Sequence, residues 1–168
     1  MGYYLRHALA VLLLPVTVVV AVPTWISLRE SSNLAPPGTA AEWALLGLGV
    51  AVLICGGVLF AASLRGFGVK GRGTLAPWDP PTNLVIAGPY AYVRNPMISG
   101  VILLLAGESL VLRSAPHALW AAVFALLNAV YIPLLEEPGL RRRFGSDYVE
   151  YSKHVPRLVP RLTPWRKT

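Results

Sequence analysis

The chain alternates long apolar stretches with short polar breaks. Apolar residues dominate from about His7 to Leu28, Glu42 to Leu64, Pro96 to Leu112 and His117 to Leu135. A helix rises about 1.5 Å per residue, so some 20 apolar residues cross a ~30 Å hydrocarbon layer. The pattern therefore predicts an all-α integral membrane protein with about four transmembrane helices, at 7–28, 42–64, 96–112 and 117–135. The third stretch is short for a full crossing. Pro15 and Pro23 are expected to kink the first helix, which membrane helices tolerate. Arg6 ahead of that helix also fits a signal peptide, but no small-x-small cleavage site follows the apolar core, so a retained helix is expected. Asn33 to Thr39 reads as a turn-rich connector, and Arg113 to Pro116 as a tight turn that makes the last two apolar stretches a hairpin. Gly47, Gly49, Gly56 and Gly57 on the second helix, and Gly100 and Gly107 seven apart on the third, mark close helix packing, or on the third a slot for a ligand.

Beyond Leu135 the pattern changes. Leu140, Phe144, Tyr148 and Tyr151 recur at helical spacing, with Arg141, Arg142, Arg143 and Glu150 on the other side. This predicts a C-terminal amphipathic interfacial helix opened by Pro138, followed by an extended coil from Val155 to Arg161. Between the second and third apolar stretches lies a polar loop, 65–95, rich in glycine and proline. Its Gly66, Gly68 and Gly71 have the spacing of a dinucleotide-binding loop, but that motif needs a preceding strand and a following helix. Here an apolar helix precedes it and Gly73 and Pro77-Trp78-Asp79-Pro80-Pro81 follow. Trp78 is expected in the headgroup belt.

Composition agrees with a membrane protein: 55% of the 168 residues are hydrophobic and 14% charged. The net charge of +7 does not point to nucleic acid, because the basic residues flank apolar runs and an anionic membrane surface suits them better. With four spans, thirteen of the 15 Lys and Arg residues fall on the side of the termini, the long loop and the tail 136–168, leaving only Arg29 and Arg113 opposite. That asymmetry places both termini in the cytoplasm. Cys55 is alone, and His7, His117 and His154 share no ligand spacing, so no disulfide or metal site is expected.

Chemistry concentrates in 88–100. Gly88-Pro89 is a turn signal, while Asn95 and Pro96 suit the N-cap and first turn of a helix. That helix start, with Arg94 beside it, favours an anionic group. Glu108 is a carboxylate within an apolar stretch, where charge is expensive and tends to face a bundle interior or wet cavity. Glu136-Glu137 ends an apolar helix, where the helix dipole prefers cations. Such a broken local rule marks a candidate site. The plain alternative is an exposed pair opposite Arg141 to Arg143.

These residues resemble the small integral-membrane methyltransferases that include isoprenylcysteine carboxyl methyltransferase and phosphatidylethanolamine N-methyltransferase. The likeness runs from Gly88 to Arg161. A GPYxYxRHPxYxG motif matches Gly88-Pro89-Tyr90, Tyr92, Arg94, Pro96 and Gly100; a twin-glutamate motif matches Glu136-Glu137; and a tail motif matches Phe144-Gly145, Tyr148, Tyr151 and Val155-Pro156-Arg157. The resemblance implies methyl transfer from S-adenosylmethionine to a lipophilic acceptor (an isoprenylcysteine-like carboxylate, a lipid amine or another hydrophobic molecule) at the cytoplasmic face of a bacterial inner membrane. It implies cofactor binding by Tyr90, Arg94, Asn95, Pro96, Gly100, Glu136, Glu137 and Tyr148, with Glu108 the candidate catalytic acid–base. Asn95 stands where the family usually has His, and Ile98 where it often has Tyr. Asn keeps hydrogen bonding but loses proton exchange, which reads as divergence in the acceptor. Two alternatives stand beside this reading. NADPH-dependent membrane reductases share features of the C-terminal half but are usually longer. A non-catalytic lipid-binding protein would also account for the missing His and Tyr.

Overall fold

The computed structural model describes residues 12–30, 36–70 and 84–166. His7, where the first apolar stretch begins, and Gly71 and Trp78 of the long loop lie outside them. The described residues contain helices and no strand: a π-helical stretch Leu12–Ala21 running into α1 (Val22–Arg29), α2 (Ala40–Lys70), a 3₁₀ turn Gly88–Ala91, α3 (Pro96–Leu112), α4 (Ala115–Tyr131), a π-helical turn Ile132–Glu136, and α5 (Glu137–His154). Two helical stretches, Ala40–Gly66 and Ala115–His154, are long and apolar enough to cross a membrane, while Pro15–Arg29 and Pro96–Leu112 are shorter.

The described residues form two compact units, drawn from Met1–Val58 with Gly100–Ala125, and from Leu59–Ser99 with Leu126–Thr168. In the first, Thr39 and Glu42 start α2 with a reciprocal cap. Thr39 Oγ1 accepts from the Glu42 amide at 3.3 Å, and Glu42 Oε2 accepts from the Gly38 and Thr39 amides at 2.6 and 3.2 Å. The glycines on α2 and α3 bring two backbones together. A Cβ on Gly56 would stand 2.9 Å from the Gly100 carbonyl oxygen, and one on Gly107 would stand 2.9 Å from the Leu53 amide nitrogen. Gly107 is thus packed closely against α2, as expected of a helix crossing. The turn between α3 and α4 is two residues long. Arg113 takes φ 50°, its amide donates to the Leu110 carbonyl at 3.3 Å, and Ser114 donates to the Ser109 carbonyl at 3.1 Å. These are the paired bonds that satisfy the last carbonyls of a helix, with an arginine in the left-handed position that glycine usually fills.

In the second unit, α4 does not stop at Pro138. The backbone widens into the π turn, the Glu137 amide donates five residues back to Ile132, and α5 continues from there. Proline has no amide to give the preceding turn, and the wider turn absorbs that loss. The expected separate helix opened by Pro138 is therefore a continuation of α4. The break lies instead at Gly145, whose φ of 54° and ψ of −132° interrupt α5. A side chain is strained there, which explains a glycine after Phe144.

Candidate functional site

The site is built in the second unit, where the tail returns to the turn preceding α3. Gly88 has φ 64° and opens the 3₁₀ turn, so the Gly-Pro signal at this position corresponds to a real backbone requirement. The chain then leaves amides and carbonyls that the tail takes up. Arg94 N donates to Pro156 O at 2.8 Å, Asn95 N to Arg157 O at 3.2 Å, Arg161 N to Tyr92 O at 3.0 Å and Trp165 N to Ala91 O at 2.9 Å. The Asn95 side-chain amide also lies 3.4 Å from Arg157 O, and Ser99 Oγ donates to Leu158 O at 2.7 Å. Tyr148, Tyr151 and Val155 are buried beneath this strap, packed by Leu84, Ile86, Leu140, Phe144 and Trp165. The Tyr151 hydroxyl donates to Tyr90 O at 2.7 Å.

Glu137 is the electrostatic centre. Its side chain is 4% exposed, and its Oε1 lies 2.9 Å from Arg94 Nη1. Arg157 grips it from the tail with Nε at 2.6 Å and Nη2 at 3.2 Å. Arg141, one turn along α5, stands at 3.8 Å. Burial opposes ionisation here, but the Arg157 hydrogen bonds and the charges of Arg94, Arg157 and Arg141 hold the Glu137 carboxyl below the usual carboxylate range. Arg94 reaches further, donating from Nη1 to the Tyr148 hydroxyl at 3.3 Å. One residue back, Glu136 differs. Among the described residues its carboxylate has no hydrogen bond or ion pair, and burial, then the charge of Glu137, push it up. The Tyr90 phenol is raised by burial, then by Tyr151 and Glu136. The Arg94 Nε is buried with no hydrogen-bond partner among the described residues.

Of the residues singled out in the sequence, Tyr90, Arg94, Asn95, Pro96, Glu136, Glu137 and Tyr148 fall in this unit, while Gly100 and Glu108 belong to the other. Glu108 Oε2 is buried there without a hydrogen-bond partner among the described residues. Arg157 and Tyr151 hold the site together, although the sequence offered them as parts of a tail motif and Tyr151 also as part of an amphipathic helix, neither as a site residue. The clue to Arg157 is electrostatic: a buried carboxylate needs compensating cations, and the tail motif ends in one.

The family model described as Phospholipid methyltransferase matches residues 45–147, more than half of the chain. Similar proteins include Methanethiol S-methyltransferase 2 of Bradyrhizobium diazoefficiens, 40% identical over 82 residues that cover 47% of this chain and 29% of that protein. Protein-S-isoprenylcysteine O-methyltransferase B of Arabidopsis thaliana is 30% identical over 131 residues, 74% of this chain and 64% of that protein. The chain thus spans less than two thirds of the length of either relative. No solved structure matches it significantly. The matched region carries the glycine–proline turn, Arg94, the twin glutamates and the Gly145 break, and on that match the chain belongs to the phospholipid methyltransferase family.

Proposed function

We propose that the protein transfers a methyl group from S-adenosylmethionine to a lipophilic acceptor at the cytoplasmic face of a membrane crossed by four helices. The observation that carries this reading is the unequal use of neighbouring charges. Glu137 is taken up by Arg94 and Arg157, whereas the Glu136 carboxylate and the Arg94 Nε have no partner among the described residues. An unfilled acceptor and an unfilled donor in one small unit fit a ligand with hydroxyl groups and a carboxylate, and S-adenosylmethionine has both. When bound, the cofactor supplies a methyl group on a sulfonium.

The chain's own residues would do the remaining work. Glu136 accepts from the ribose hydroxyls. Arg94 Nε faces the carboxylate, beside the positive end of the α3 dipole. Tyr90 and Tyr148 offer phenols beside the cation. Direct displacement at a methyl carbon asks mainly for alignment and exclusion of water, and the strap over Tyr148 and Tyr151 suits that task. A carboxylate acceptor needs no base, whereas a thiol or amine must lose a proton. Glu108 is the candidate for that step. One relative is named for a thiol acceptor and the other for O-methylation of an isoprenylcysteine, so both chemistries are open to this chain. The thirteen-to-two distribution of Lys and Arg supports the orientation.

The test is calorimetric titration of the detergent-purified protein with S-adenosylmethionine and with NADPH. Transfer of radiolabelled methyl to methanethiol, a prenylcysteine and a lipid amine is then measured. Saturable binding of S-adenosylmethionine alone, with label in one acceptor, is expected. Binding of NADPH alone would replace this reading with a reductase, and binding of neither by folded protein would refute it.

A further inference from the structure

The strap over Tyr148 and Tyr151 also presents a surface of its own. Val159 is 75% and Leu162 99% exposed. Lys153, Thr163 and Arg166 are exposed too. No Asp or Glu follows Glu150, whereas Lys153, Arg157, Arg161 and Arg166 all do. Single exposed apolar residues are ordinary, but these two stand on backbone that is tied down around them. Ser99 Oγ donates to the Leu158 carbonyl at 2.7 Å, one residue before Val159. Arg161 N donates to Tyr92 O at 3.0 Å and Trp165 N to Ala91 O at 2.9 Å, on either side of Leu162. Pro160 restricts the backbone between the two apolar residues. The Trp165 ring stacks on His154, with centroids 5.5 Å and planes 12° apart, and Arg161 Nη1 donates to the His154 carbonyl at 3.0 Å. The fold thus fixes the neighbours and leaves Val159 and Leu162 standing clear.

The depth of this surface follows from the ion pair that holds the strap. Arg157 Nε lies 2.6 Å from Glu137 Oε1. Glu137 comes directly after the apolar stretch that ends at Leu135, and Leu134 and Leu135 are 66% and 65% exposed. In the proposed crossing such exposed apolar surface belongs in hydrocarbon, and the twin glutamates mark where it ends. The strap then lies at headgroup depth. There an apolar side chain enters the acyl boundary while neighbouring cations stay among the phosphates. A protein partner needs a wider face: a specific interface takes about 20–30 residues a side, and two apolar side chains do not supply it.

We infer that the strap, 153–166, is a binding surface for anionic phospholipid: Val159 and Leu162 enter the membrane interface, and Lys153, Arg161 and Arg166 hold the headgroups. The inference rests on the proposed membrane crossing and not on methyl transfer. The sign of the charge sets the preference, since a Lys or Arg near an anionic surface is worth about fivefold in binding. The same strap is bonded through its backbone to Ala91, Tyr92, Arg94 and Asn95. Anionic lipid therefore steadies the cover over Tyr148 and Tyr151, and the lipid composition of the membrane regulates how firmly it is held.

The test uses the full chain in phosphatidylcholine nanodiscs, with Cys55→Ser and Thr163→Cys so that a polarity-sensitive dye sits beside Leu162. Small amounts of phosphatidylglycerol or phosphatidylcholine, spin-labelled near the headgroup, are included in turn, and quenching of the dye is measured. Quenching by both lipids is expected, with a clear preference for phosphatidylglycerol. Lys153→Gln and Arg166→Gln should each lower that preference by up to about fivefold. Val159→Ser with Leu162→Ser should reduce quenching by both lipids. Equal quenching by the two lipids, or a preference that both glutamine variants keep, would overturn the anionic-lipid site. A dye shielded from water yet quenched by neither lipid would give the surface to a second copy or another protein, and would overturn it too. Protein that stays soluble without detergent or lipid would refute the crossing itself. Methyl transfer is judged separately, on cofactor binding.

Discussion

The adjacent glutamates Glu136 and Glu137 should separate in a single pair of experiments. In Glu137→Gln the shape is kept and the charge is removed. Arg94, 10% exposed at its side chain, is then buried without its carboxylate. Removing one partner of a buried pair costs about 3–5 kcal/mol. Two features reduce that here. Glutamine keeps an acceptor oxygen, and Arg157, 36% exposed, can recover water, so its share is screened. A loss of about 2–3 kcal/mol is expected. Since Arg157 holds the tail through Glu137, tail cleavage by protease should also accelerate. Glu136→Gln removes a carboxylate without a partner among the described residues, so stability should stay within about 0.5 kcal/mol. Affinity for S-adenosylmethionine should nevertheless fall at least tenfold, ~1.4 kcal/mol. Stability is read by reversible unfolding in mixed micelles, and affinity by calorimetry. A stability loss under about 0.5 kcal/mol for Glu137→Gln would refute the buried-pair argument. Unchanged affinity in Glu136→Gln would remove that carboxylate from the site.

The remaining expectations concern pH, the strap and the helix crossing. The arginines hold Glu137 below its ordinary value of 4.5, so its stabilisation is present above 4.5 and is lost as pH falls through the folded-state value. Acid unfolding of the wild type should show this loss and Glu137→Gln should lack it; identical acid limbs would contradict the assignment. Tyr151→Phe leaves the Tyr90 carbonyl without the 2.7 Å bond from the buried hydroxyl, and a loss of about 1–3 kcal/mol in unfolding is expected; no loss would mean the strap does not need it. A Cβ at Gly107 would lie 2.7 Å from Leu53 Cγ, whereas one at Gly57 meets nothing within 4 Å. Gly107→Ala should therefore lower the melting temperature, at about 1–3 kcal/mol for overpacking, while Gly57→Ala should not. Equal effects would refute the close crossing.

What could be read in the sequence follows the range of the physics involved. Gly88-Pro89 is legible because a positive φ followed by a fixed one is a local requirement, and the 3₁₀ turn appears where expected. Pro138 misleads for the same reason. Proline's local rule says that a helix starts or stops, but a π turn just before it lets α4 run on into α5. Charge pairing is not local. Glu136 and Glu137 are chemically identical in sequence, and nothing nearby says which one Arg94 and Arg157 will take. That choice depends on the phase of the π turn and on a tail that returns over sixty residues of chain to meet Asn95. His117 is harder still. As one of three scattered histidines it carries no sign of its surroundings, and its contacts emerge only when Pro23, Ser27 and Ser114 are placed around it. Motifs that encode backbone conformation can thus be read singly, whereas those that encode electrostatics can be read only together. A carboxylate acquires its state from partners that the fold brings from elsewhere, so Glu136 and Glu137, candidates alike in the sequence, take different parts only after their neighbours have been counted.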